Sequence, residues 1–292
     1  MKIIPPIPVT DAILVSSTVA EDDAPAYNAA TTYAAGDKAV SGHRVYESTQ
    51  AANTGHSVLD PVWWTDIGPT KRWAPFDQAI GTYCTGASPM EIVLAPAQNT
   101  NAVALIDVSG IDTVRVRSTV GAVTTYDKTI DLRATRLVSS WFDYFFEPIE
   151  IATQAIFDDL PVASTNQLTV TCTGAAPSIG TLAVGLQREF GDAQYGTSLG
   201  IIDYSQKQTD SFGVTSVVER AYAKRSQVSF TLPRSQVDAF SKLLASLRAK
   251  PAIWRVDDTE EMLTIYGWVR DWAQTIAYPT LVTGDMTLEG LI

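Results

Sequence analysis

A chain of 292 residues with 46% hydrophobic residues is long enough to build two or three units with real cores. Its formal charge of -11 and isoelectric point near 4.6 work against nucleic acid and anionic membranes, which need clustered Lys and Arg. Membrane insertion is also not expected, because no stretch reaches the ~20 apolar residues of a spanning helix. The charged fraction of 18% is low and Thr, Ala and Ser are abundant, a balance that suits β-rich assembly proteins. Two cysteines, Cys84 and Cys172, are too few for a disulfide framework and are expected as buried free thiols. The first twenty residues carry one Lys and an apolar run broken by Pro5, Pro6 and Pro8. That is no signal peptide, so residence in the cytoplasm of synthesis is expected.

In chain order, residues 1–22 read as an extended arm able to dock on a neighbouring subunit, with Val9–Val19 as one edge strand. Residues 23–77 form a separate small module, rich in aromatics and glycine turns. Within it Asp37–Val40 and Arg44–Ser48 flank Ser41-Gly42, the pattern of a tight hairpin.

Residues 78–195 read as an antiparallel β-sandwich. Its expected strands are Glu91–Leu94, Ala102–Asp107, Thr113–Ser118, Val123–Tyr126, Phe142–Phe146, Gln167–Thr173 and Ile179–Leu186. Thr113 to Arg117 alternates polar and apolar, as a strand with one wet face does. Residues 196–292 predict a C-terminal antiparallel sheet or barrel with one packed helix over 235–249. Strands are expected at Ile201–Thr209, Thr215–Tyr222, Gln227–Leu232, Ile253–Val256, Leu263–Val269, Thr275–Tyr278 and Thr287–Leu291. Val237, Phe240, Leu243, Leu244 and Leu247 recur at helical spacing. Ser235 is the expected N-cap, Lys242, Arg248 and Lys250 favour the C-terminal end, and Pro251 is the stop. The fold class is therefore mainly β.

Catalytic patterns are sparse. The two histidines, His43 and His56, both lie in the small module, with no HExxH, CxxC or GxSxG anywhere. Asp22-Asp23, Asp158-Asp159 and the 257–261 acidic run could be imagined as glycosidase carboxylates. Neighbours on a strand point to opposite faces, however, and the 257–261 run reads as a solvated hairpin loop. Gly68-Pro69-Thr70-Lys71 lacks the upstream glycines of a phosphate loop. No catalytic residue, metal or cofactor is expected, and the chain is read as a non-enzyme.

The clearest pattern is aromatic. Tyr27 precedes Tyr33-Ala34-Ala35-Gly36-Asp37, then Val40, Gly42, Tyr46 and Trp63-Trp64. In so small a unit large rings must supply most of the apolar area. The spacing Y-x-x-G-D-x-x-V-x-G-x-x-x-Y resembles the small chitin- and cellulose-binding modules appended to bacterial chitinases. That resemblance implies Tyr27, Tyr33, Tyr46, Trp63 and Trp64 as sugar-stacking rings. This sequence departs from the family twice. Tyr27 stands where a Trp is usual, and Tyr46 is followed by Glu47-Ser48-Thr49-Gln50 instead of a Trp pair. A core role for Trp63-Trp64 therefore stays open beside the sugar platform.

The next segment, Gly68-Pro69-Thr70-Lys71-Arg72-Trp73-Ala74-Pro75-Phe76-Asp77, resembles the junction after such a module in phage tail proteins. Asp203-Tyr204-Ser205-Gln206-Lys207, Asp210-Ser211-Phe212-Gly213 and Glu219 to Arg225 are similar to a D-Y-S-x-K…D-x-F-G…R-x-Y-x-K-R run of those proteins. Tyr266-Gly267-Trp268 and Ala277-Tyr278-Pro279 fit the same pattern. The resemblance is to tail-tip and baseplate proteins, distal-tail-like proteins included. It implies a virion structural protein in a ring between the tail tube and receptor-binding parts. The implied partners are tube, hub and receptor-binding proteins, further copies of itself and host surface polysaccharide; assembly would occur in the bacterial cytoplasm. Arg220, Lys224 and Arg225 are then candidates to pair with carboxylates of a neighbouring subunit. As plain residues they fit a solvated strand face equally well, and Tyr204, Phe212 and Tyr222 fit ordinary core rings.

Overall fold

Strands dominate because the chain alternates β-branched and polar residues over short runs between Gly, Pro and Asp turns. The computed structural model describes residues 1–133, 140–146, 151–209, 211–257 and 261–291. These form two compact units. The central unit holds Pro8–Asn99 and Val103–Ala183; the terminal unit holds Met1–Ile7, Thr100–Ala102 and Val184–Ile292.

In the central unit, one antiparallel sheet runs Val123–Asp131, Thr113–Val120, Gln167–Thr173, Met90–Leu94 and Leu14–Ser17. A second orders Gln154–Phe157, Ala102–Ser109, Ser178–Gly185 and Cys84–Thr85. Alternation decides the buried face: Val114 pairs with Cys172 and Val116 with Val170, and all four are buried. Leu14–Ser17 is an edge strand, as expected within Val9–Val19, but shorter. Cys84 and Cys172 are free and buried. The small module adds a three-stranded sheet, Lys38–Ser41, Arg44–Ser48 and Trp64–Pro69, and a pair, Thr32–Tyr33 with Asn53–Thr54. Its hairpin turns one residue later than expected, on Gly42 and His43, whose φ values of 55° and 65° suit a two-residue type I′ turn.

The expected strand Phe142–Phe146 is instead a short helix, Trp141–Phe146. So short an aromatic-rich run, with Asp143 inside it, does not separate the two states by period. Helical winding places Trp141 on Phe145, 6.2 Å apart, and Phe142 by Phe146 at 5.0 Å. Gln154–Phe157, which had no expected strand, takes its place in the sheet against Val103–Ile106.

The terminal unit is built on one antiparallel sheet. Its order is Arg188–Glu189, Lys2–Ile4, Ala252–Arg255, Thr264–Thr275, Leu281–Gly290, Tyr222–Pro233 and Asp192–Ala193, with Ser198–Asp203 also on Tyr222–Pro233. The first residues are therefore an inner strand and not a free arm. One short segment covers both edges: Arg188–Glu189 pairs with Lys2–Ile3 while Asp192–Ala193 pairs with Phe230–Thr231. The bend between them needs Gly191, at φ 42°, where an added Cβ would lie 2.0 Å from the Thr231 carbonyl oxygen. Gly284 serves differently. It leaves room for the Phe230 ring, whose Cζ would sit 2.6 Å from an added Cβ.

The helix Val237–Ser246 packs its Phe240 ring 5.3 Å from Phe230 and 5.2 Å from Phe190. Ile3, Trp254, Met286 and Leu288 complete that core. The helix is shorter than 235–249. Arg234–Gln236 forms a 3-10 turn, so Gln236 and not Ser235 is the N-cap, without a side-chain capping bond. It ends at Ser246, where the Leu247 N–H donates to the Leu243 and Leu244 carbonyls, leaving Arg248 and Lys250 beyond its last turn.

Several expected strands merge or split. Leu263–Val269 and the start of Thr275–Tyr278 are one strand, Thr264–Thr275, carried through a bulge between Val269 and Asp271. Thr287–Leu291 is the end of Leu281–Gly290, and Gln227–Leu232 lies inside Tyr222–Pro233. Ile201–Thr209 divides into Ser198–Asp203 and Gln206–Thr209, and Thr215–Val218 stands apart from Tyr222. Asp210 and residues 258–260 of the acidic run lie outside the described residues.

Trp254 is among the largest fully buried side chains, and its Nε1–H donates to the Gly267 carbonyl at 3.1 Å. Trp254→Ala is expected to lower unfolding stability by about 3–5 kcal/mol. A urea midpoint unchanged from the parent chain would refute this packing of the terminal unit.

Candidate functional site: the aromatic module and its histidine contacts

The module hairpin presents its rings inward. Tyr33, Tyr46 and Trp64 are buried with Ala39, and Tyr27 and Trp63 pack against them half-buried. Tyr27 stacks on Tyr33 at 6.0 Å, and the Trp64 ring meets Tyr33 edge-on at 4.9 Å. Two polar tips converge on one acceptor: Tyr27 O–H at 2.7 Å and Trp64 Nε1–H at 3.2 Å both donate to the His56 carbonyl. Trp63 lies on the His56 ring, 3.8 Å between centroids and 7° from parallel. Three of the five rings expected to stack on sugars thus have no free face. They are the module's core, and Trp63 already has a ring on it.

The second histidine contact has no signature in motif spacing. His43 sits in the type I′ turn and places Nδ1 2.9 Å from Glu21 Oε1 and Nε2 2.9 Å from Asp11 Oδ1. Its ring stacks on Trp73 at 4.3 Å. Thr70 Oγ1–H donates to the same Glu21 oxygen at 2.9 Å. The turn is thereby fastened to the preceding segment and to the junction residues 68–77. Asp11 and Glu21 lie outside the module in sequence, so motif spacing could not reveal them. With a carboxylate on each ring nitrogen, His43 has no nitrogen left to take a proton from a hydroxyl. Partial burial pulls its pKa down, but the hydrogen bonds and charges of Glu21 and Asp11 outweigh that and raise it above 6.5.

Two of the other candidate carboxylates also have local structural partners. Asp23 accepts the Lys71 backbone N–H at 3.2 Å. Asp159 accepts Tyr126 O–H at 2.5 Å and Lys128 Nζ at 2.8 Å. Burial would raise the Asp159 pKa; those two bonds hold it below the usual carboxylate value. Among the described residues no group of three or more His, Cys, Asp or Glu is placed to hold a metal ion.

The interface candidates lie elsewhere, on a hairpin of the terminal unit. Ser198–Asp203 pairs with Tyr222–Gln227, and Gln206–Thr209 pairs with Thr215–Val218 beyond it. Arg220 is exposed and donates from Nη2 to Gln206 Oε1 at 3.1 Å. Lys224 and Arg225 are half-buried at its base, opposite Ile201 and Gly200. Tyr204, Phe212 and Tyr222 are exposed rather than core rings, Phe212 at 91%. The chain matches no protein-family model, and no curated protein matches it.

Two outcomes follow from the module. His43 in the fold binds its proton more tightly than the free side chain does. Its ionic contribution is therefore full below about pH 6.5 and is lost as pH rises through the raised value. His43→Asn, which keeps the left-handed turn, should lose more melting temperature against the parent at pH 6 than at pH 9. An equal loss at both would refute the ionic contact. Trp64→Ala should cost about 3–5 kcal/mol of module stability, well above Trp63→Ala. Amide exchange over residues 27–69 checks it, and equal protection in the two variants contradicts the core assignment.

Proposed function

We propose that this chain is a structural, non-catalytic component of a long-tailed phage tail tip or baseplate, assembling into a ring that joins the tail tube to receptor-binding parts. One observation carries the reading. The run from Asp203 to Arg225 that resembles tail-tip proteins falls on an exposed hairpin, where Ile201, Phe212, Val217 and Tyr222 open large apolar surfaces to solvent. Soluble monomers rarely leave such surface contiguous, whereas assembly subunits cover it with neighbours. Two mainly antiparallel units with little helix offer strand-built faces for such contacts. The buried rings of the small module do not favour a sugar platform. The module is read as an accessory packed onto the scaffold.

Mass spectrometry of purified phage particles, with antibody labelling viewed by electron microscopy, tests the proposal. The expected result is this chain in intact virions with label at the tail tip. Its absence from particles that package DNA and bear tails would sink the assignment.

A further inference from the structure

One imidazole pins a strand at both ends. Asp11 precedes the edge strand Leu14–Ser17 and Glu21 follows it, and both meet the His43 ring at 2.9 Å. Asp11 lies in the turn that enters the strand, where the Ile13 and Leu14 N–H groups donate to the Thr10 carbonyl. Val9, Thr10 and Asp11 also line a cavity of about 360 Å³ together with His43, Trp73 and Asp77. The His43–Asp11 contact therefore ties the turn to the module hairpin at that cavity.

Two carboxylates on one ring set its proton count. A protonated imidazole has an N–H on each nitrogen, one for Glu21 and one for Asp11. A neutral imidazole has a single N–H, and its other nitrogen presents a lone pair. A lone pair 2.9 Å from a carboxylate oxygen repels it, so loss of the proton breaks one of the two contacts. The surroundings decide which. Glu21 Oε1 also accepts Thr70 Oγ1–H at 2.9 Å, and its side chain is 21% exposed. The Asp11 side chain is 77% exposed, and among the described residues His43 is its one ionic partner. The other charged groups nearby offer no substitute. Arg44 Nε is committed to Asp66 at 2.7 Å, Asp77 accepts Thr82 O–H at 2.9 Å, and Asp23 accepts the Lys71 backbone N–H.

We propose that His43 is a proton-operated latch: protonated, it ties both ends of the 11–21 segment to the hairpin, and on losing its proton it keeps Glu21 through Nδ1–H and releases Asp11, freeing the entry turn from the cavity. Burial opposes the charged ring, but the two carboxylates outweigh it and hold the pKa above 6.5. The latch is therefore closed in mildly acid solution and opens as pH rises through the raised value. It is independent of the tail-tip reading.

The test uses the purified full chain with 15N-labelled histidine, followed from about pH 5.5 to about 9, with His43→Asn to assign the ring. The expected neutral ring is the Nδ1–H tautomer, read from its two nitrogen shifts. Amide exchange, corrected for the intrinsic rate at each pH, gives the second readout. Protection over 9–14 should fall about two- to fivefold through the same titration, the worth of an exposed ion pair, while 15–19 holds. Asp11→Asn should abolish that step at an unchanged melting temperature. Its amide oxygen accepts from the protonated ring, and its amide nitrogen donates to the neutral one. A neutral ring protonated on Nε2 overturns the proposal. So does parent protection over 9–14 that stays constant, an equal loss over 15–19, or a step that survives Asp11→Asn.

Discussion

The terminal unit depends on the backbone pairing of Lys2–Ile4. This strand of three residues lies between Arg188–Glu189 and Ala252–Arg255, and its Ile3 and Ile4 side chains are fully buried. Remove it, and Ala252–Arg255 becomes an open edge while half of the 188–193 clasp has nothing to hold. The pairing joins residues almost the whole chain apart, with the central unit's sequence between them. Such non-local closure is slow to form, because loop entropy is lost before the contacts repay it. The central unit has its partners in an uninterrupted middle stretch, apart from Thr100–Ala102, and can fold while the first strand waits for the last ones.

How much was legible in the sequence depended on whether one residue or many carried the signal. The alternation from Thr113 to Arg117 announces both the strand and its buried face, and Val114 and Val116 are where the period puts them. The helix near Phe240 was legible for the same reason: five apolar residues repeat at one spacing. Its start was not, since a 3-10 turn at Arg234–Gln236 displaces the cap from Ser235. The run Trp141–Phe146 has no period, so ring contacts between successive turns, invisible in a linear reading, decide its state.

The module shows a different boundary. Its aromatic residues could be picked out because nothing else in so small a unit offers apolar area. Their use could not, because a sugar-stacking ring and a core ring are the same residue type. What separates them is the His56 carbonyl, which draws Tyr27 and Trp64 together through their polar tips. His43 was visible only as a rare residue near a turn. Its chemistry comes from Glu21, 22 residues earlier, and from Asp11, neither belonging to any motif with it.

The two thiols of the central unit have a practical meaning for anyone following this protein in solution. Cys84 has its Sγ 4.0 Å from Met90 Sδ, and burial pushes the pKa of both Cys84 and Cys172 up to about 12. The thiolate is the form that reacts with maleimides, oxidants and metals, and at neutral pH almost none of it exists at these positions. Both native cysteines are therefore chemically silent while the chain is folded. A cysteine introduced on the solvent side of the hairpin becomes a single reactive handle for a fluorophore or spin label, with neither native sulfur replaced. Unwanted labelling at Cys84 or Cys172 then reports that the central unit has opened.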